Sequence, residues 1–291
     1  MSQMTLSDTW DLMLDEPNAM TLDTVQLRIG EGAWSEPQHV LDVHDDVAES
    51  GRGTPFALRY TIDAAVRPPG PVYLAVEQPE RYTVMVNRQR ITDDAGWWRD
   101  IAFRKLNATA ALQAGCNQIV LSGVFARDMA LESVYLVGQF GVEVRRLGEE
   151  GCYNGQRFDR YAPDLRVVTA PEQLQACQKG GALRFDLTRQ GLPFFAGRVT
   201  LQQRVNVPAH AGRVVLAFEE LRAAVAHVHV NGERVGATAW PPHEVDITEV
   251  VREGENVIAL ELVGTLRNLL GPHHLRDGDR AWTGPDEFRD K

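Results

Sequence analysis

One succession of motifs occurs twice, in the same order, along this chain of 291 residues. The first copy reads Leu74-Ala75-Val76-Glu77, Val86-Asn87, Arg90, Trp98, Asp100-Ile101, Leu112, Gly115, Asn117, Ile119 and Leu121. The second reads Leu216-Ala217-Phe218-Glu219, Val230-Asn231, Arg234, Trp240, Asp246-Ile247, Val251, Gly254, Asn256, Ile258 and Leu260. Such a repeat limits the fold severely, because one arrangement must satisfy both copies. Spacings differ by a few residues, as loop insertions produce. Each copy belongs to a stretch long enough for its own core, so the pattern implies two tandem domains rather than a solenoid.

The segments within each copy alternate in short runs. Phe56-Ala57-Leu58-Arg59-Tyr60-Thr61-Ile62, Val72-Tyr73-Leu74-Ala75-Val76, Arg198 to Val205, Val214 to Phe218 and Val257 to Leu262 read as strands between Pro, Gly and Asn punctuation. Long helical periodicity is nearly absent. The fold class that follows is all-β: two tandem jelly-roll β-sandwich domains. The first is expected over 1–150 with an N-terminal lead-in, and the second over 151–291 with a C-terminal tail. The boundary falls in 148–164, which is rich in Gly, Asp, Arg and Tyr. Residues 42–54 read as a polar loop, and the tail from Arg276 reads as a surface strap.

Local chemistry is clearest in the second copy. Asn231-Gly232 is a two-residue hairpin signal, since both residues tolerate positive φ. Asp246-Ile247-Thr248-Glu249 resembles a capping box for one helical turn that Gly254 can end. In the first copy Arg88 stands where the hairpin glycine would be, which predicts a longer or differently shaped turn.

Charge narrows the partners. The formal net charge is −10, which argues against nucleic acid and anionic membrane as partners. The start of the sequence has no basic region followed by an apolar core, and no run is apolar enough to span a bilayer. Cys116, Cys152 and Cys177 are sparse and lack CxxC spacing, so free thiols in a reducing cytoplasm are expected.

The second copy resembles the sugar-binding sandwich of family 2 glycoside hydrolases and related galactose-binding-like domains. The motifs are Val230-Asn231-Gly232-Glu233-Arg234-Val235-Gly236, Asp246-Ile247-Thr248 and Gly254-Glu255-Asn256. Four further segments resemble the C-terminal, non-catalytic region of large bacterial glycoside hydrolases: Asn18 to Asp23, Glu132 to Val142, Gly191 to Gly197 and Thr265 to His274. The resemblance implies that catalysis belongs to a separate barrel domain. Nothing here alternates strand and helix over the length such a barrel needs.

Candidate contact residues follow from sugar chemistry, in which flat C–H faces stack on rings and hydroxyls take a few fixed polar partners. Trp97 and Trp98 adjoin a loop-like stretch and point to opposite faces if extended, so one is core and one available. Trp240 precedes Pro241-Pro242. Arg267, Asn268 and His274 form a polar cluster around Gly271-Pro272. Phe194-Phe195 reads as a packed edge. No catalytic set is expected: Glu219-Glu220 face opposite ways, Glu77 and Glu219 are repeat equivalents, and Asp93-Asp94 and Glu149-Glu150 read as solvated. His227 and His229 share a face but lack a third metal ligand. No cofactor is expected; for a structural calcium the obvious oxygen donors are Asp42, Asp45 and Asp46. The leading reading is a carbohydrate-recognition or accessory module of a glycoside hydrolase, with carbohydrate, a catalytic glycosidase domain or a second copy as partners. The alternatives are a structural or assembly domain and a small complete glycosidase.

Overall fold

A computed structural model describes residues 4–153, 156–179, 182–209, 212–271 and 284–288, with backbone alone over 145–153, 156–164, 177–179, 182–184, 285 and 288. The fold is all-β, as expected, and divides into two compact units. One comprises residues 18–170 and 267–291 and holds the first copy of the repeat. The other comprises 1–17 and 171–266 and holds the second. No helix among the described residues is long and apolar enough to cross a membrane.

The first-copy unit has a five-stranded antiparallel sheet in the order Asn18–Leu22, Val134–Gly138, Val72–Glu77, Asp100–Asn107, Asp94–Trp98. A second sheet runs Gly141–Tyr153, Gln156–Val168, Pro55–Ala64, Gly115–Val124, Tyr82–Val86, Gln89–Arg90, with Thr24–Ile29 also on Pro55–Ala64. Alternation decides what lies inside. Met20, Leu136, Leu74 and Leu106 stand in one cross-strand row of the first sheet, and all are buried. Leu27, Leu58, Leu121 and Val84 form the matching row of the second. Each such side chain contributes about 2 kcal/mol by leaving water, so these rows hold the sandwich together.

The second-copy unit has a six-stranded sheet in the order Gln173–Gln175, Thr9–Leu14, Arg198–Val207, Gly254–Val263, Val225–Val230, Glu233–Thr238. Its buried row is Leu12, Leu201, Leu260 and Val228. Trp10, Leu174, Leu192 and Phe195 join that core. Val215–Phe218 pairs with His243–Asp246 as a separate two-stranded sheet. The chain therefore crosses between units twice near its ends, and Thr9–Leu14 completes the second-copy sheet although it precedes the first copy in sequence. Residues 148–164 fall within the long hairpin of Gly141–Tyr153 and Gln156–Val168, paired from Gly141 and Val168 outward.

Two local expectations change. Val40–Ser50 is an α-helix, not a loop, and buries Val40, Val43 and Val47. Those valines recur at helical spacing beneath a polar surface, His39 caps the start through Leu41 N, and Gly51 ends it at φ 91°. Arg88 does not lengthen its hairpin. Asn87 and Arg88 adopt φ 48° and 69°, matching Asn231 and Gly232 at 53° and 86°. Both turns are two residues long, with both central residues at positive φ.

A shared clasp explains why. Asn117 is fully buried; its Oδ1 accepts from Asn87 Nδ2 at 2.7 Å and Gln113 N at 2.9 Å, while its Nδ2 donates to Gln113 O and Gly115 O. Asn256 does the same with Asn231, Arg252 and Gly254. Asn87 Oδ1 then accepts from Gln118 N, as Asn231 Oδ1 accepts from Val257 N. The anchored asparagine fixes the turn, and the residue after it follows.

The same comparison corrects the repeat alignment. Asp246 Oδ1 accepts from Thr248 N at 3.1 Å and Oγ1 at 2.6 Å, and Thr248 Oγ1 accepts from Val214 N. Asn107 and Thr109 make the identical set with Val72 N. The true counterparts of Asp246-Ile247-Thr248 are thus Asn107-Ala108-Thr109, not Asp100-Ile101. Ile247 is buried whereas Ile101 is 79% exposed. Asn107 follows Arg90 by 17 positions where Asp246 follows Arg234 by 12, and the extra length forms the Asp94–Trp98 hairpin arm.

Candidate functional site

Because Leu74, Leu106 and Leu136 face the core, their strand neighbours face the other way. Thr21, Tyr135, Ala75 and Lys105 therefore form a row on the outer surface of the five-stranded sheet, with Tyr73, Glu77 and Phe103 in adjacent rows. Ala75 is fully covered at the centre. Over it, the Trp98 ring lies 5.0 Å from that of Tyr135, and the Phe103 ring lies 5.6 Å from it. Lys105 Nζ stands 5.2 Å from the Tyr73 ring centroid, and Arg99 stands over Trp98 at 5.6 Å. This is a shelf of four half-buried rings on the outer surface of one sheet.

Two carboxyl groups border the shelf. Partial burial raises the Glu77 pKa, reinforced by Glu132 and Asp100. Glu132 is likewise raised by partial burial and then by Asp286. Burial, then Glu132, Asp23 and Glu77, push the Tyr135 hydroxyl up to about 12, so it remains a donor at neutral pH. The shelf thus offers rings beside a hydroxyl donor and two acceptors.

Thr21 Oγ1 donates to Leu269 O at 2.5 Å, which brings the turn Leu266–Leu270 to the end of the row. Arg267 and Asn268, both half-buried, are carried there with it. His274 lies outside the described residues, as does most of the tail from Arg276. Trp97 points opposite to Trp98 and is 59% exposed at the sheet edge. Trp240 belongs to the other unit, 76% exposed in the turn leading to the cis Pro241–Pro242 bond. Register makes Trp240 the counterpart of Ile101, so it is not the partner of Trp98.

Other candidates resolve into structure. Asp94 and Asp93 are not merely solvated: Asp94 accepts from Gly96 N at 2.8 Å and Arg104 Nε at 2.9 Å, and Asp93 accepts from Asn107 Nδ2. These bonds hold the Trp97-Trp98 arm, and the Gly96 N–H, ahead of Arg104, lowers the Asp94 pKa. His227 and His229 do share a face, against Arg234 at 2.6 Å and Glu261 at 3.6 Å. No group of three metal-binding side chains gathers among the described residues, and Asp45 and Asp46 lie exposed on the helix. Phe194 and Phe195 are buried. Cys116 is exposed, and the side chains of Cys152 and Cys177 lie outside the described set. A groove of about 930 Å³ in the second-copy unit is lined by Arg213, Glu233, Arg234, Asp246 and Glu249, with no ring.

Sequence reasoning found Trp97 and Trp98 but missed Tyr73, Phe103 and Tyr135. The available signal was an aromatic residue at the outward position of otherwise apolar strands, three times on one sheet.

No protein-family model and no curated protein matches the chain. Among solved structures it is similar to parts of glycoside hydrolases. An α-L-rhamnosidase from Streptomyces avermitilis matches at 14% identity and TM-score 0.36, over 96% of this chain and 29% of that one. A β-glucuronidase from Ruminococcus gnavus matches at 12% and 0.33, over 87% and 44%. A β-D-mannosidase from Dictyoglomus thermophilum matches at 10% and 0.31, over 84% and 31%. The chain spans less than half the length of each.

Proposed function

We propose that this chain is a carbohydrate-recognition or accessory module that works beside a glycoside hydrolase, with the Trp98–Tyr135–Phe103 shelf as its sugar-contacting surface. The shelf carries the reading. Half-buried rings pave the outer face of one sheet, and a hydroxyl and carboxylates border them, which is the combination a pyranose requires. The sequence resemblance to glycosidase-associated sandwiches supports the same class. Arg267 and Asn268 supply further polar contacts from the row's end, while Trp97 faces the other side of the sheet edge.

Calorimetric titration with neutral mono- and oligosaccharides tests this. The expected result is weak, saturable binding to at least one oligosaccharide, reduced about tenfold or more by Trp98→Ala. No heat with any sugar, or undiminished binding by Trp98→Ala, would contradict it.

A further inference from the structure

The second sheet of the first-copy unit carries a different cluster. Gln26 pairs with Arg59, while Leu27 and Leu58 face the core, so Gln26, Arg28 and Arg59 share the outer surface. After Ile29 the chain doubles back along this edge. Ser35 N donates to Leu27 O at 2.8 Å, Leu27 N donates to Ser35 Oγ at 2.9 Å, and Gln26 Nε2 donates to Ser35 O at 2.9 Å. This return lays Trp34 against both arginines. The Arg28 and Arg59 guanidinium carbons stand 4.7 and 4.3 Å from its ring centroid. Arg59 Nε is held by Gln26 Oε1 at 3.0 Å, which aims the rest of the fork away from Gln26.

One guanidinium on a ring is an ordinary packing contact. Two on one ring repel each other, and an anion placed near both relieves that repulsion. Among the described residues neither forms an ion pair with a carboxylate, in a chain of net charge −10. Arg28 Nε is also buried without an acceptor. Planar guanidinium forks match a carboxylate in geometry, and the indole offers apolar surface beside them.

We infer that Arg28, Arg59 and Trp34 form a second ligand site, which takes the carboxylate of an acidic sugar. The sugar part rests on the carbohydrate reading above; the charge rests on the two guanidiniums alone.

The test uses the ¹⁵N-labelled full chain and the indole N–H resonance of Trp34, assigned with Trp34→Phe. Sodium D-glucuronate, D-glucose and sodium sulfate are titrated separately at constant ionic strength. Glucuronate is expected to move the Trp34 resonance saturably, glucose and sulfate far less. Arg28→Gln combined with Arg59→Gln is expected to weaken the glucuronate response about tenfold or more. No saturable response of the unmodified chain to glucuronate would overturn the inference without reliance on any variant's folding. So would a response equal to that from sulfate, or one that survives in a folded double variant. The Trp98 resonance, read in the same spectra with neutral oligosaccharides, reports separately on the shelf, so failure of either site is distinguishable from failure of the other.

Discussion

Glu77 and Glu219 occupy the same place in the two copies, at the end of equivalent strands. Glu77 borders four aromatic rings and carries a raised pKa. Glu219 stands exposed, and the positions that correspond to Tyr73, Ala75, Phe103 and Lys105 are Val215, Ala217, Pro242 and Glu244. The first copy sets this strand pair inside five strands; in the second it forms a sheet of two. Yet beneath both lie the same asparagine clasp and the same threonine-bonded turn. The difference teaches that what the copies share fixes turns and closes the sandwich, whereas the four-ring shelf appears only where they diverge.

The sharpest way to break this comparison is to remove the clasp from each copy. Asn117→Ala and Asn256→Ala each delete four hydrogen bonds and strand buried backbone groups, at about 3 kcal/mol or more. Urea denaturation, with hydrogen exchange to report each unit separately, should give similar losses in the two. A loss confined to one copy would mean the networks are alike in drawing but not in energy. Next in size, Trp98→Ala should weaken oligosaccharide binding about tenfold, a change of ~1.4 kcal/mol, while Trp240→Ala leaves it unchanged. Equal effects would restore the two tryptophans as partners.

Smaller effects sharpen the turns. Arg88 holds φ 69°, a conformation that suits glycine. Arg88→Gly should therefore stabilise the first-copy unit by about 0.5–1 kcal/mol, and Gly232→Arg should destabilise the second-copy unit by ~1 kcal/mol, both read from denaturation midpoints. The smallest effect concerns acid. The bond from the Thr248 hydroxyl, then its backbone N–H and Arg213, lower Asp246 from 3.8 to about 2. A depressed carboxylate stabilises above its ordinary pKa and loses that contribution as pH falls from 3.8 through 2. Its counterpart Asn107 cannot titrate. Asp246→Asn should remove this part of the acid sensitivity, as melting temperature against pH will show.

Much of this architecture was legible in the chain. Strand alternation gave the all-β class, and the repeat gave two sandwiches. Asn231-Gly232 announced its turn because a two-residue signal is complete within itself. Arg88 misled because the force that bends its turn comes from Asn117, thirty positions from Asn87. Asp100-Ile101 misled because the extra Asp94–Trp98 arm shifts the register, and a matching dipeptide sat on the wrong side of the insertion. The helix Val40–Ser50 was hidden by a polar sequence whose three valines alone are buried. At the site, the adjacent tryptophans were visible as a loop-borne pair, but the shelf was not. It is assembled by pairing across four strands, which a single sequence does not display.

The central claim is that the rings of the first copy alone meet sugar. The most direct measurement is the set of indole N–H resonances of the six tryptophans during titration with a neutral oligosaccharide that binds in calorimetry. The account predicts that Trp98 shifts saturably, with Trp97 next and Trp240 unmoved. A saturable shift of Trp240 with Trp98 silent would contradict it.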